Sequence, residues 1–378
     1  MTTAISRSRL VARHFAFSSR QSIAKPLTRT MATTDNKKSI LNWVDPNDKS
    51  GEFKRQTSVF RNWISAAPGA EFPPEKGRYH LYVSYACPWA HRTLIVRKIK
   101  GLEDIIGYTS VHWHMGEKGW RFATPDEAKE GLPGANVTPD PHHPSFTHLR
   151  DLYFSQDPEY AGRFTVPTLY DTVAKRIVSN ESSEIIRMLY TEFDALLPAD
   201  RRAPSIDLYP EALRKDIDEA NTWMYDEINN GVYKSGFATT QEAYTNNVTK
   251  LFAALDRAEA HLAAAGASPD KPFYLGAQLT EVDVRLYTTI IRFDPVYVQH
   301  FKCNIRDIRS GYPHLHAWMR RLYWLNDAFG PQTTQFDHIK RHYTQSHAQI
   351  NPKGITPVGP LPHVLPLEEE VPVVEKRL

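Results

Sequence analysis

The stretch Cys87-Pro-Trp-Ala-His-Arg92 decides the fold, because it joins an apolar run, Tyr79-His-Leu-Tyr-Val-Ser84, to a helical pattern, Thr93-Leu-Ile-Val-Arg-Lys-Ile99. That order predicts a strand, a tight turn and a helix. Pro88 suits the first helical position, where its missing N–H costs nothing, so Cys87 falls at the N-cap. Backbone N–H groups and the helix dipole act on a thiol there, and such settings lower a thiol pKa from about 8.5 to roughly 3.5–7.5. We therefore expect a thiolate near neutral pH.

Ala90 stands where a Cys-x-x-Cys motif would place its second thiol. A cysteine taken alone is more often a small buried hydrophobic residue, but a position between a strand and a Pro-initiated helix favours a reactive one. The other cysteine, Cys303, lies in a helical region and is expected to be structural. The chain therefore offers a one-thiol site, which needs a second thiol from outside, in a compartment that keeps thiols reduced.

Charge and hydropathy exclude two classes of function. Residues 1–34 carry six arginines and lysines and no acid, so the net charge of +3 leaves −3 on the rest of the chain. A slightly acidic body argues against nucleic-acid binding, which requires a basic surface on the folded domain. No run of about 18 apolar residues is present, so we expect no membrane span.

The first 78 residues divide into a leader and an arm. Residues 1–34 are rich in Arg, Ser and Thr and are interpreted as a mitochondrial transit peptide, with a disordered basic tail as the alternative. Met31 offers a second start, whose use would give a cytoplasmic form. Residues 35–78 are expected to form an irregular arm that packs on the body through its aromatic side chains, Trp43, Phe53, Phe60 and Trp63.

Strand signals continue to about residue 180. Residues 105–111 predict a second strand, and 165–170 with 176–179 predict a hairpin, in which Pro167 requires a place free of ladder hydrogen bonds or a cis bond. Polar residues at 180–184 begin a helix. Residues 112–163, rich in glycine and proline, are interpreted as an insertion. No metal is expected there, because no cysteine and no regular acid spacing accompany its histidines, His112, His114, His142 and His143.

From residue 205 the pattern is helical. One helix is expected to end at Asn230-Gly231, and a later one to begin at a Thr280–Asp283 capping box and to stop at Pro295. The Pro-rich residues 344–378 are expected to lie on the surface or to be disordered. The apolar faces of the first two helices are Leu213, Ile217, Asn221, Met224 and Ile228, then Val248, Leu251, Phe252, Leu255 and Leu262; a further helix covers 312–324.

This order of parts resembles a glutathione transferase, and five motifs between residues 40 and 345 resemble its Xi class, the glutathionyl-hydroquinone reductases, in particular. The resemblance implies an α/β plus all-α protein, with a thioredoxin-like domain at 79–192 and an all-helical domain at 205–343. The motifs are Cys87-Pro-Trp-Ala-His-Arg92, Gly116-Glu-Lys-Gly-Trp120, Thr165-Val-Pro167, Asn180-Glu-Ser-Ser-Glu184 and Phe301-Lys-Cys-Asn304.

The resemblance also implies the site. Cys87 would be the nucleophile, Val166 before a cis Pro167 would pair with the cysteinyl part of glutathione, and Trp120 would cover the peptide. Glu181 and Ser182 would hold the γ-glutamyl amine and carboxylate. Two tyrosines of the helical domain, Tyr225 and Tyr297, would flank the aromatic substrate and donate to a phenolic oxygen.

The implied activity removes glutathione from S-glutathionyl-hydroquinones through a Cys87–glutathione disulfide, with glutathione as co-substrate and no metal. Two alternatives stay open. One is an omega-like transferase that reduces dehydroascorbate or deglutathionylates proteins, and the other is a non-catalytic binding module of the same fold. The resemblance further implies a homodimer.

Overall fold

The computed structural model describes Val44 and residues 48–266 and 270–370. Four of the strands in these residues form one sheet in the order β2-β1-β5-β6, and β3 and β4 form a separate hairpin. The strands are β1 (Tyr79–Val83), β2 (Gly107–Ser110), β3 (Met115–Gly116), β4 (Gly119–Trp120), β5 (Thr168–Asp171) and β6 (Arg176–Ser179).

Strand β1 occupies the middle of the sheet, parallel to β2 and antiparallel to β5. Its five residues are all buried, which explains why its sequence is a continuous run rather than an alternating pattern. The helices that accompany the sheet are α1 (Pro88–Ile99), α2 (Pro125–Glu130), α3 (Leu149–Gln156) and α4 (Ser182–Thr191). The predicted thioredoxin-like order, β1-α1-β2 and then β5-β6-α4, is confirmed.

The stretch interpreted as an insertion, 112–163, contains part of the fold. Besides the β3–β4 hairpin and α2, it holds α3, whose Leu149, Leu152 and Tyr153 are buried. The Tyr153 hydroxyl donates to the carbonyl oxygen of Thr165, 2.9 Å away, at the turn before β5. The apolar spacing of these three residues in the sequence is that of one helix face, so the helix was recognisable.

The second half of the described chain is helical, and short 3₁₀ segments at 194–196, 199–201 and 211–213 lead into it. The predicted capping box is present, with the Asp283 carboxylate accepting from the Thr280 N–H at 3.0 Å. None of the described helices is both long and apolar enough to cross a bilayer. The helices are α5 (Arg214–Trp223), α6 (Gly231–Gly236), α7 (Gln241–Ala265), α8 (Glu281–Arg292), α9 (Val298–His300), α10 (Ile308–Gly311), α11 (Pro313–Leu325) and α12 (Phe336–Ser346).

Two predicted helix ends are wrong. Helix α5 does not end at Asn230-Gly231 but passes through a π-helical turn, Met224–Asn229, into α6. Gly231 lies in the first turn of α6 and makes no chain reversal; a Cβ there would be in ordinary van der Waals contact with Leu251 Cδ1 of α7, 3.4 Å away. Helix α8 likewise continues as a second π-helical turn, Phe293–Tyr297, which takes in Pro295. The wider turn accommodates a residue that has no N–H to donate.

The arm and the tail both lie against the body where they are described. Phe53 is buried and Phe60 packs edge-on to the Tyr153 ring, as expected, whereas Trp63 is 40% exposed. Trp43 and the leader lie outside the described residues. Helix α12 includes the first three residues of the predicted tail, and residues 347–370 contain no helix or strand. This part of the tail is laid on the surface, since the carbonyl of Leu365 accepts from Arg320 and Trp324.

Candidate active site

Cys87 is the N-cap of α1, with φ −79° and ψ 117°, and Pro88 is the first helical residue, as predicted. Its Sγ lies 3.3 Å from the carbonyl oxygen of Val166, to which the thiol donates. Cys303, in contrast, is fully buried beside the backbone of Phe301. With alanine at position 90, the geometry leaves Cys87 without an internal thiol partner.

Cys87 was expected to be a thiolate near neutral pH, and for the site without ligand this prediction is wrong. Burial raises the pKa of the thiol, and this outweighs the N–H groups of Ala90 and Trp89 and the charges of Arg292 and Arg55, which lower it. The expectation counted the helix start and left out desolvation, which penalises the thiolate. The hydrogen bond to the Val166 carbonyl is one that only the thiol form can make. The resting site therefore holds a thiol.

Cys87 lines a cavity of about 660 Å³ that lies between the sheet and the helices. The cavity would hold a ligand of drug-like size. Its walls come from the arm, the turn before β5, the start of α4, and helices α5, α6, α8 and α12. The predicted site residues in its lining are Cys87, Trp120, Val166, Pro167, Glu181, Ser182 and Tyr225.

The turn before β5 presents backbone to the cavity. The Val166–Pro167 peptide bond is cis, in line with the second of the two options given for Pro167. In the described part of the chain no hydrogen bond uses the N–H of Val166. Val166 lines the cavity, and its own carbonyl contacts the thiol, so its N–H is free to pair with a peptide carbonyl as a strand edge does.

The start of α4 combines a carboxylate with a helix N-terminus. Burial acts to raise the pKa of Glu181, but hydrogen bonds from Ser183 and Ser58 and the charge of Arg92 outweigh it, so the pKa lies below the ordinary value. Glu181 is therefore an anion that an ammonium group can pair with. Next to it the Ser182 hydroxyl accepts from Arg92 at 3.4 Å, where a carboxylate would meet both a cation and the helix dipole.

Trp120 forms one wall of the cavity. It is 8% exposed, and its ring stacks on that of His342 with centroids 4.6 Å apart and planes inclined by 22°. The Nδ1 of His342 lies 2.8 Å from the carbonyl of Trp113, so this nitrogen carries the hydrogen. Burial lowers the pKa of His342 to about 4, and the wall is uncharged at neutral pH.

Only one of the two predicted tyrosines reaches the cavity. Tyr225 is 37% exposed and sets its ring edge-on to that of Trp89, 5.7 Å away. Tyr297 is fully buried, and its hydroxyl contacts that of Tyr343 at 3.2 Å. It therefore lies behind Tyr343, which lines the cavity.

Two tyrosines that the sequence reasoning missed line the cavity in its place. The hydroxyls of Tyr233 and Tyr343 are 2.7 Å apart, and both residues face the cavity. Burial raises the pKa of each phenol, so both stay protonated. Tyr233 lies eight residues after Tyr225, about two helical turns, which was a usable signal; nothing local in α12 identified Tyr343.

Arg55, from the arm, was also missed. Its guanidinium lies over the rings of Trp89, Tyr233 and Phe53, with centroid distances of 4.6, 5.0 and 5.3 Å, and its Nε donates to the Asn230 side chain at 2.6 Å. The cation–π contacts hold it at the cavity wall. An isolated arginine in an irregular segment gives no sequence signal for this role.

We also searched the described residues for side chains that could bind a metal ion. In the described residues no group of three or more His, Cys, Asp or Glu side chains is arranged to hold an ion. The histidines of 112–163 have structural partners instead: His143 bonds Asp140 and Tyr170, and the ring of His142 packs on His80 at 4.5 Å.

Comparisons with known proteins agree with this architecture. Residues 86–192 match the glutathione S-transferase N-terminal domain, and residues 241–321 match the corresponding C-terminal domain. The chain is 56% identical over 321 residues to an omega-like glutathione S-transferase of Schizosaccharomyces pombe, a match that covers 85% of this chain and 97% of that protein.

Two further relatives are informative. A glutathionyl-hydroquinone reductase of Escherichia coli is 49% identical over 324 residues, which cover 84% of this chain and 92% of that protein. The crystal structure of a Xi glutathione transferase of Saccharomyces cerevisiae in complex with glutathione superposes with a TM-score of 0.78 at 47% identity, covering 84% of this chain and all of that one.

Proposed function

The chain belongs to the Xi class of the glutathione transferases, and we propose that it removes glutathione from S-glutathionyl-hydroquinones, releasing hydroquinone and oxidised glutathione. The observation that carries the proposal is a single thiol, Cys87, beside the free N–H of Val166 and in a cavity with an aromatic end. A site with one thiol can take a glutathionyl group over but cannot release it without a second glutathione. The reductase relative at 49% identity supports this activity.

The glutathionyl part of the substrate would bind along one wall. Its cysteinyl carbonyl takes the Val166 N–H, its ammonium group pairs with Glu181, and its γ-glutamyl carboxylate binds at the α4 start near Ser182. Trp120 covers the peptide. These contacts place the thioether sulfur next to Cys87 Sγ and direct the ring toward the tyrosines.

The chemical step is an attack by sulfur on sulfur. The Cys87 thiol loses its proton, and the thiolate attacks the thioether sulfur, so that an S–S bond forms as the carbon–sulfur bond breaks. The conjugate reacts as its keto tautomer, in which the carbon that carries sulfur is sp³ and lies next to a ring carbonyl, so the electron pair of the breaking carbon–sulfur bond passes into that carbonyl as an enolate. Tyr233 or Tyr343 then donates a proton to the enolate oxygen, which gives hydroquinone and makes up for the proton lost by the thiol, because both phenols are held protonated beside the cavity.

A second glutathione completes the cycle. Its thiolate attacks the glutathione sulfur of the Cys87–glutathione disulfide, the S–S bond breaks, and Cys87 leaves as the thiolate. The products are oxidised glutathione and free enzyme. The two half-reactions share one substituted enzyme form, so steady-state kinetics should be ping-pong.

The omega-like function is the main alternative, because a relative at 56% identity bears that description. Turnover of glutathionyl-menadione should be compared with turnover of dehydroascorbate on the same preparation. Activity on dehydroascorbate alone would replace the proposal with the omega-like function. If neither substrate is turned over by the native protein, the non-catalytic module gains; if activity survives Cys87→Ser, the nucleophile is another group.

We further propose a homodimer and a mitochondrial location with a cytoplasmic form from Met31. Both ideas rest on the family resemblance and on the acid-free composition of residues 1–34. A monomer in sizing chromatography at micromolar concentration would contradict the first. Residues 1–34 fused to a fluorescent protein should carry it into mitochondria, and a uniformly cytoplasmic signal would contradict the second.

A further inference from the structure

Arg292, the last residue of α8, is a buried cation without an anionic partner. Its side chain is fully buried, and its guanidinium donates to the carbonyls of Tyr85, Ala86 and Thr288 at 2.7, 3.0 and 2.7 Å and to Nδ1 of His91 at 3.0 Å. In the described chain no carboxylate is among these acceptors. Buried charges are normally paired, because their desolvation is costly. Arg292 is thus an exception that requires an explanation.

Three of the four acceptors of Arg292 belong to residues that flank Cys87 in the sequence. Tyr85 and Ala86 are the two residues before Cys87, and His91 follows it by one helical turn. The guanidinium therefore reaches from the helical part of the protein into the turn that presents the thiol. It fixes that turn with two charge-assisted hydrogen bonds, which are stronger than neutral ones.

The charge of Arg292 acts on the reacting groups of the cavity. Burial raises the pKa of Cys87, Tyr233 and Tyr343, and the charge of Arg292 opposes that rise in each case. The other groups that act on Cys87 are Arg55 of the arm and the N–H groups at the start of α1. Arg55 is solvent-exposed and screened, whereas the field of a buried cation is not.

We propose that Arg292 is a positioning residue whose missing counter-ion is the Cys87 thiolate that exists only during the reaction. This inference rests on the proposed function. At rest the thiol is neutral, and Arg292 is bound by three carbonyls and by the ring nitrogen of His91, none of which is an anion. When the thiol loses its proton, or when the second glutathione displaces Cys87 from the disulfide, the negative charge appears in the field of a buried cation that is already bound to the two residues before Cys87 and needs no reorganisation.

The competing explanation is that Arg292 only holds the turn before Cys87 through its hydrogen bonds and that its charge has no effect on the thiol. Variants that keep the charge and variants that remove it distinguish this tether explanation from the proposal. The rate of iodoacetamide alkylation of Cys87 should be followed from pH 6 to 11 in wild type, Arg292→Lys, Arg292→Met and Arg292→Gln, with the labelled cysteine identified by peptide mass. Arg320→Met is the control, because Arg320 is a buried arginine that binds the Leu365 carbonyl and does not line the cavity.

We expect the profiles of Arg292→Met and Arg292→Gln to move up by one pKa unit or more, which lowers alkylation at pH 7 at least tenfold. Arg292→Lys and the control should follow wild type within threefold. Coinciding profiles for all variants, or equal shifts in the lysine and methionine variants, would overturn the proposal. Should the neutral variants not fold, the lysine variant decides by itself, since a tether explanation requires its profile to shift.

Alkylation needs no glutathione conjugate, so its outcome is independent of the substrate assignment. A wild type that alkylates as expected but does not turn over glutathionyl-menadione would contradict the proposed function and leave the role of Arg292 standing. Normal turnover of glutathionyl-menadione together with coinciding alkylation profiles would contradict the role of Arg292 and leave the proposed function standing.

Discussion

Replacing Glu181 with glutamine tests the binding mode at a point where a neighbouring residue provides a matched control. The Glu181 carboxylate accepts from the backbone N–H and hydroxyl of Ser183 at 3.1 and 2.8 Å and from the Ser58 hydroxyl at 3.1 Å. A glutamine can keep one oxygen on Ser183 and so preserve the helix cap. What it loses is the negative charge that we assign to the ammonium group of glutathione.

The size of the effect follows from that one interaction. A hydrogen bond to a charged group contributes about 1.5–3 kcal/mol, which corresponds to a roughly 10- to 150-fold rise in the KM for glutathione. The kcat should change by less than about threefold, because the amine lies far along the tripeptide from the reacting sulfur. The pKa of Glu181 lies below its ordinary value, so the carboxylate stays charged through the ordinary titration range of a glutamate, and the wild-type advantage fades only as the pH falls below that range.

The control is Glu184→Gln, one helical turn later. Glu184 forms an ion pair with Arg61 at the surface and does not line the cavity. Initial rates with varied glutathione, measured for both variants at pH 7, give the comparison. An unchanged KM in Glu181→Gln, or an equal rise in Glu184→Gln, would refute the assigned contact.

Four other substitutions, which make up three predictions, have definite expected outcomes. Tyr343→Phe should lower kcat about a hundredfold, and Tyr297→Phe less than tenfold, because only the first side chain faces the cavity; equal losses would contradict this. Gly236→Ala should lower the free energy of unfolding by about 1–3 kcal/mol in urea titrations, since its Cβ would lie 2.1 Å from the Phe301 ring. Burial raises the pKa of Asp294 to about 6, so the protonated side chain should stabilise the fold below about pH 4, and this contribution should be lost as the pH rises to about 6. Over this interval the unfolding free energy of wild type should fall by roughly 3 kcal/mol relative to that of Asp294→Asn. A difference between the two proteins that does not change with pH would contradict the prediction.

The sequence supported those parts of the account that depend on local order. A continuous apolar run, a cysteine before proline and a helical pattern were sufficient for β1, α1 and the N-cap position of Cys87. The capping box at Thr280 also follows from short-range chemistry, which a few consecutive residues determine, whereas the local sequence left two options for Pro167, of which the structure has the cis bond.

The parts that failed depend on packing between distant segments. Tyr297 was assigned to the cavity, but it is buried in the helical core, and Tyr343 of α12, 46 positions later in the chain, lines the cavity instead. The raised pKa of Cys87 reflects burial in the folded chain, for which no local pattern exists. Arg55 reaches the site from an irregular segment that has no periodicity to read.

The central claim is that Cys87 takes glutathione from an aromatic conjugate. Protein mixed with an equimolar amount of glutathionyl-menadione, in the absence of free glutathione, should gain one glutathionyl group on the peptide that contains Cys87 and release one equivalent of the reduced quinone. Adding glutathione should then restore the unmodified mass. Release of the reduced quinone without a Cys87 adduct, or an adduct on Cys303, would contradict the account.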